Sequence, residues 1–236
     1  MSTRIEKTHR RSPTAACALA LTAVAALALG CQDSRDYSQA ICVLVDVSGT
    51  YAAEKQEVAT IVKREVLPAM MPGDTLMMIR IDSQSYEKDN LVALMTLDAR
   101  PSQANAQKLA LAKKLDAFAA GKEVAGHTDI EGAMMLGTDY LAELSSGSRV
   151  MLVFSDLEQD LPRGTRRSIE GEEFAGIDVV AMNVKRLDRD NADPEGFRAR
   201  LAHWEEALRE AGASGWRTIM DARQLPDHLT GLREAA

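Results

Sequence analysis

A chain of 236 residues with 46% hydrophobic content suffices for one domain with a sizeable core and leaves little room for two. The formal charge is −7, and residues 1–30 hold four Lys and Arg against one Glu, so the rest of the chain carries −10. A surface that acidic is a poor match for nucleic acid or an anionic membrane, and any anionic partner has to be met by a local positive feature such as a bound cation.

The chain opens with Arg4, Lys7, Arg10 and Arg11, followed by the apolar run "AACALALTAVAALALG" over residues 15–30. That run falls short of the roughly 20 residues a spanning helix needs, and it is read as a secretory signal peptide. It ends in "LALGC", where small residues before Cys31 resemble the lipobox of bacterial lipoproteins, although Ala28 stands where Leu is commoner. The resemblance implies lipidation of Cys31 and a lipid anchor in the cell envelope, with Gln32 favouring the outer membrane on its periplasmic side; cleavage by an ordinary signal peptidase is the alternative. Residues 31–39 then form the lipidated cysteine and a short polar tether, and residues 40–234 the folded domain. With Cys17 removed and Cys31 acylated, Cys42 is a lone thiol in an apolar strand, so no disulfide framework is expected.

Within the domain, "AICVLVDV" (40–47) is a continuous β-branched run, the mark of a strand buried on both faces. Val58, Ile61, Val62, Val66 and Ala69 follow at helical spacing until "MPGD" (71–74) stops the helix. "TLMMIRID" (75–82) and "LVALMTLD" (91–98) are separated by a short polar link and predict an antiparallel hairpin. Helices are predicted over about 103–120 and from Thr128 onward, and a buried strand over 149–156. The strand at 176–185 precedes a helix capped by Asp193-Pro194, and a strand at 216–222 and a short closing helix complete the chain. This alternation predicts an α/β fold: a doubly wound, mostly parallel central sheet with helices on both faces and one antiparallel edge strand. Ligands of such sheets sit beyond the carboxyl ends of the strands, where strand order reverses.

Three segments fall at those ends: Asp46-Val47-Ser48-Gly49-Thr50, Gly126-His127-Thr128-Asp129 and Phe154-Ser155-Asp156. Two carboxylates with neutral hydroxyls suit Mg²⁺ or Mn²⁺, which take oxygen ligands and keep several waters. So few negative charges leave an open coordination position attractive to a further carboxylate. The pattern D-x-S-G-T after the first strand, "GHTDIEGAM" before a helix and an aspartate closing the next strand resemble a von Willebrand factor A-type domain. By that resemblance the metal-ion-dependent adhesion site comprises Asp46, Ser48, Thr50, Thr128 and Asp156. It binds Mg²⁺ or Mn²⁺, and a protein partner's Asp or Glu completes the shell without enzymatic chemistry. Leu157 departs from the family pattern, in which glycine is common at that place, and the loop 157–176 is long.

Each residue also has a plainer reading. Asp46, Ser48 and Thr50 can be a capped strand-to-helix loop. Thr128-Asp129-Ile130-Glu131 has the form of a capping box. Asp129, Glu158 and Asp160 are read as solvated or supporting carboxylates outside the site, His127 as a loop histidine, and "RGTRR" (163–167) as a solvated loop or one that helps receive an acidic partner. Met70, Met71, Met77, Met78, Met134 and Met135 read as core filler, and Trp204 and Trp216 as structural. Two other functions compete with the adhesive one. A magnesium-dependent phosphatase resembling the haloacid dehalogenase group would use Asp46 as nucleophile, but Ser48 stands where its general acid belongs. A metal-free envelope scaffold would keep the fold alone.

Overall fold

Six strands form one sheet in the order β3-β2-β1-β4-β5-β6. They are β1 (Gln39–Asp46), β2 (Thr75–Ile81), β3 (Leu91–Thr96), β4 (Ser148–Phe154), β5 (Ile177–Met182) and β6 (Gly215–Ile219). The computed structural model describes residues 36–49, 51–182, 184, 190 and 194–236, so the signal segment, Cys31 and Thr50 lie outside the described residues. All strand pairs are parallel except β2 with β3, the antiparallel edge read from the short link at 83–90.

Every residue of β1 is buried, and its alternate side chains enter two cores. Ile41, Val43 and Val45 face a layer that includes Val58 and Val62 of α1 (Lys55–Ile61) and the turn after it, Leu111 and Leu115 of α3 (Pro101–Ala120) and Leu229 of α6 (Leu225–Ala235). Ala40, Cys42 and Leu44 face Ile130, Met134 and Leu141 of α4 (Ile130–Ala142) and Trp204 and Leu208 of α5 (Pro194–Glu210). Strands covered on both sides have no solvent face, which is why β1, β4 and β5 read as largely apolar runs, with Asp178 of β5 a buried exception whose Oδ1 lies 2.9 Å from His228 Nε2. Helix α4 lies so close to the sheet that a methyl at Gly137 would stand 2.9 Å from Met151 Cε and 3.0 Å from Cys42 Sγ.

After α1 the helix widens into a π turn, Val62–Val66, before the short α2 (Leu67–Ala69). The π turn ends two residues before Pro68, which has no N–H to continue the helical ladder. Helix α4 starts at Ile130 rather than Thr128: its N-cap is Asp129, whose Oδ1 accepts the Gly132 N–H at 2.9 Å. The capping-box reading of Thr128 is therefore corrected, and Glu131 accepts instead from Gln159 Nε2. Met71 is exposed, contrary to its reading as core filler. Among the described residues no helix is long and apolar enough to cross a membrane.

Candidate metal centre

The chain leaves β1 toward β2 on one side, while β4 pairs on the other, so strand order reverses at β1 and a crevice opens past Asp46. Asp46 turns the chain there: its Oδ1 accepts the Ser48 N–H at 2.8 Å. The Ser48 carbonyl in turn accepts the N–H groups of Tyr51 and Ala52, which starts the helical segment Ala52–Glu54. Register does the rest. Val45 is level with Phe154, so Ser155 falls beside Asp46 and donates its hydroxyl to Oδ2 at 2.7 Å.

Thr128 comes to the same edge from the loop before α4. Its backbone N–H and carbonyl form a two-bond bridge with Asp160, at 2.8 and 2.9 Å, while Ser48 bridges Ala125. Asp156 follows β4, and its Oδ1 accepts the Glu158 N–H at 2.9 Å. Ser48, Gly49, Ala125, Gly126, Thr128, Asp156, Glu158 and Asp160 line one cleft of about 430 Å³. Ser48, Thr128 and Asp156 thus reach a common space, with Asp46 wholly buried and near enough to feel the Asp156 charge.

The electrostatics suit a cation. Burial pushes the Asp46 carboxyl above the usual carboxylate range; hydrogen bonds from the Ser48 amide and from Ser155 oppose the shift, and the negative charge of Asp156 adds to it. Among the described residues no three His, Cys, Asp or Glu side chains are grouped to hold a metal. A metal here depends on hydroxyls as well as the two aspartates, a donor set that fits a hard, hydrated Mg²⁺ or Mn²⁺ and not zinc. A carboxylate has about four lone-pair sites, so the hydrogen bonds to Asp46 and Asp156 leave acceptor capacity for a metal or its waters.

Three residues support the site through contacts that the sequence does not specify. Ser155 joins two parts of the site, because its oxygen also accepts the Leu157 N–H at 3.0 Å. Leu157 adopts a left-handed backbone, φ 62°, at the position where glycine is expected. Burial of its side chain offsets that strain, and the Trp204 indole N–H holds its carbonyl at 2.9 Å. Asp129, read as solvated or supporting, is fully buried and committed: besides capping α4 it accepts from the Ser85 N–H and from Arg167 Nε, each at 3.1 Å. Arg167 accordingly belongs to this contact and also lies over the Tyr86 ring, so "RGTRR" is not uniformly solvated. His127 is a loop histidine as read, with Nδ1 2.9 Å from Asp160 Oδ2.

Replacing Ser155 with alanine removes the hydroxyl that donates to Asp46 Oδ2 and accepts from the buried Leu157 N–H. Ser155→Ala is expected to lower stability by about 1–3 kcal/mol, read as a reduced urea midpoint at unchanged slope.

No protein-family model matches the chain, and no curated protein matches it. Among solved structures it is similar to the open conformation of the pilus adhesin SpaC from Lactobacillus rhamnosus GG, at 13% identity and TM-score 0.51, over 86% of this chain and 30% of that one. It is also similar to a mutant of the PilB minor pilin from Streptococcus sanguinis, at 8% identity and TM-score 0.51, over 87% of this chain and 62% of that one. A von Willebrand factor type A structure from Catenulispora acidiphila matches at 10% identity and TM-score 0.45, over 84% of this chain and 42% of that one. The chain therefore spans less than two thirds of each of these proteins, and the likeness is one of fold. The six-stranded order, the antiparallel edge and the crevice at β1 and β4 are those of the doubly wound α/β fold expected from the resemblance to von Willebrand factor A-type domains.

Proposed function

We propose that the protein is an exported domain, lipid-anchored through Cys31 in the bacterial cell envelope, that binds a protein partner through a divalent cation. Asp46, Ser48, Thr50, Thr128 and Asp156 hold Mg²⁺ or Mn²⁺ directly or through water, and an Asp or Glu of the partner fills the open position. The observation that carries this reading is the meeting of Ser48, Thr128 and Asp156 in one cleft, with buried Asp46 adjoining. Bound metal supplies a positive charge to an otherwise acidic edge, where Glu158 and Asp160 would repel a bare carboxylate. The chain's own groups bind and orient. Ser155 holds Asp46, and the Asp160 backbone holds the Thr128 segment. The solved structures include a pilus adhesin and a minor pilin, a setting that agrees with an envelope protein engaged in binding.

Calorimetric titration of residues 32–236 with Mg²⁺ and Mn²⁺ tests the reading. Wild type is expected to bind, and Thr128→Ala and Asp156→Ala to weaken binding by about tenfold or more. The proposal fails if folded wild type takes up neither ion at millimolar concentration, or if both variants bind as wild type does. A phosphatase assay on the same preparations distinguishes the nucleophile reading of Asp46.

A further inference from the structure

The opposite end of the sheet carries a surface that the net charge conceals. Segments 56–69 and 101–120 contain five Lys and Arg against three Asp and Glu, of which Lys63 and Asp116 pair with each other, in a chain whose total is −7. They belong to α1, α2 and α3, which frame a groove of about 380 Å³ whose lining includes Lys63, Leu67, Pro68, Lys108, Leu109 and Ala112. Leu109 is 68% exposed and Met71, just beyond α2, is 52% exposed. Arg64, Lys113 and Lys114 are exposed on the same helical segments.

Hydrogen bonds join this corner to the start of the domain. Asp74 accepts the Gln39 N–H through Oδ1 and the Met71 N–H through Oδ2, at 2.8 and 2.6 Å. Lys108 Nζ donates to the Met70 carbonyl at 2.6 Å, which lays its stem along the groove. The first residue of β1 and the basic, apolar corner are therefore neighbours. Gln39 comes eight residues after Cys31, a length of chain that reaches at most about 26–29 Å.

We propose that this corner rests on an anionic lipid bilayer, its lysines and arginines toward headgroups and Leu109 and Met71 at the acyl boundary. Lysines around exposed aliphatic side chains are the composition of an interfacial surface. Charge complementarity selects the bilayer as occupant, since each Lys or Arg near an anionic surface adds attraction while the rest of this domain is repelled by it. The net charge argues against anionic membranes for the chain as a whole and not for this corner. It rests on the tether proposed above, which would hold the corner within reach of the membrane.

Residues 31–236 carrying Cys31→Ser, unlipidated and in EDTA so that no metal in the cleft bridges to lipid, are mixed with vesicles and sedimented. Binding to vesicles of phosphatidylglycerol and phosphatidylcholine is expected, with little to phosphatidylcholine alone and a fall as NaCl is raised. Arg64→Glu with Lys113→Glu is expected to weaken binding by about tenfold or more, and Leu109→Ser to weaken it at every salt concentration. No binding to anionic vesicles at low salt, or binding that both the charge reversal and Leu109→Ser leave unchanged, overturns the proposal. Metabolic labelling of the wild-type chain with a fatty acid reads the Cys31 anchor separately, so loss of the anchor reading and loss of the bilayer face give different results.

Discussion

Asp46→Asn is expected to abolish the response to Mg²⁺ while raising the melting temperature of the metal-free protein. Asp46 is fully buried, and burial pushes its carboxyl up despite the Ser48 amide and the Ser155 hydroxyl. Its folded-state pKa thus exceeds the unfolded one, and the sign follows from linkage. Its stabilising contribution is fully present below the ordinary carboxylate value and is lost as pH rises through the raised value, because there the folded state must carry a buried charge. A neutral amide of the same shape removes that cost at neutral pH and still accepts from Ser48. Metal affinity runs the opposite way, rising with pH through the same window, since a ligating carboxylate must be deprotonated. Melting curves with and without Mg²⁺, from about pH 4.5 to about pH 7.5, separate the two effects. Wild type should gain more from metal as pH rises, and the asparagine variant should lose that gain, with affinity down by about 100-fold or more. An equal Mg²⁺ stabilisation of both proteins would remove Asp46 from the site.

The strands were legible because three of them lie between two helical layers and are apolar along most of their length, whereas edge strand β3, with Leu94 exposed, was read from its hairpin context. The three site segments were legible for the same reason. A polar residue ending a buried strand has few places to go, and sheet register sets Asp46 and Ser155 side by side. What escaped the reading was the use of each polar group. In "HTDI" both Thr128 and Asp129 can cap a helix, and local pattern does not choose between them. The choice is made by long-range partners: Asp160 takes the Thr128 backbone, and Arg167 reaches buried Asp129 from a loop 38 residues away in sequence. Asp129 also fits because Gly132 leaves it room, since a methyl there would stand 2.3 Å from its Oδ2. Leu157 is the converse case. Glycine is expected at a left-handed turn, and leucine is held there by burial and by Trp204 on α5, a contact that no spacing rule encodes.

Asp74 is another residue whose role was hidden, and Asp74→Ala is expected to be among the most destabilising single substitutions in the chain. The motif "MPGD" marks it as a helix stop, yet its side chain is fully buried. Arg233 of α6 grips it with two parallel bonds, Nη1 to Oδ1 at 2.8 Å and Nη2 to Oδ2 at 2.6 Å, and Arg233 Nη1 also donates to the Tyr37 carbonyl at 2.7 Å. With the Gln39 and Met71 amides on the same carboxylate, one side chain fastens the start of β1, the approach to β2 and the last helix. Alanine leaves a buried guanidinium and two amides without that acceptor. The cost for a broken buried pair is about 3–5 kcal/mol, and a domain of this size should melt about 10 °C lower. Adding Arg233→Met to the alanine variant should recover part of the loss, because the unpaired charge goes with it. Asp74 lies at the amino end of the strands, away from the cleft beyond their carboxyl ends, so metal affinity should be unchanged below the lowered melting point. A loss smaller than about 1 kcal/mol, or a double variant less stable than the single, would show that α6 is held by its apolar face and not by this pair.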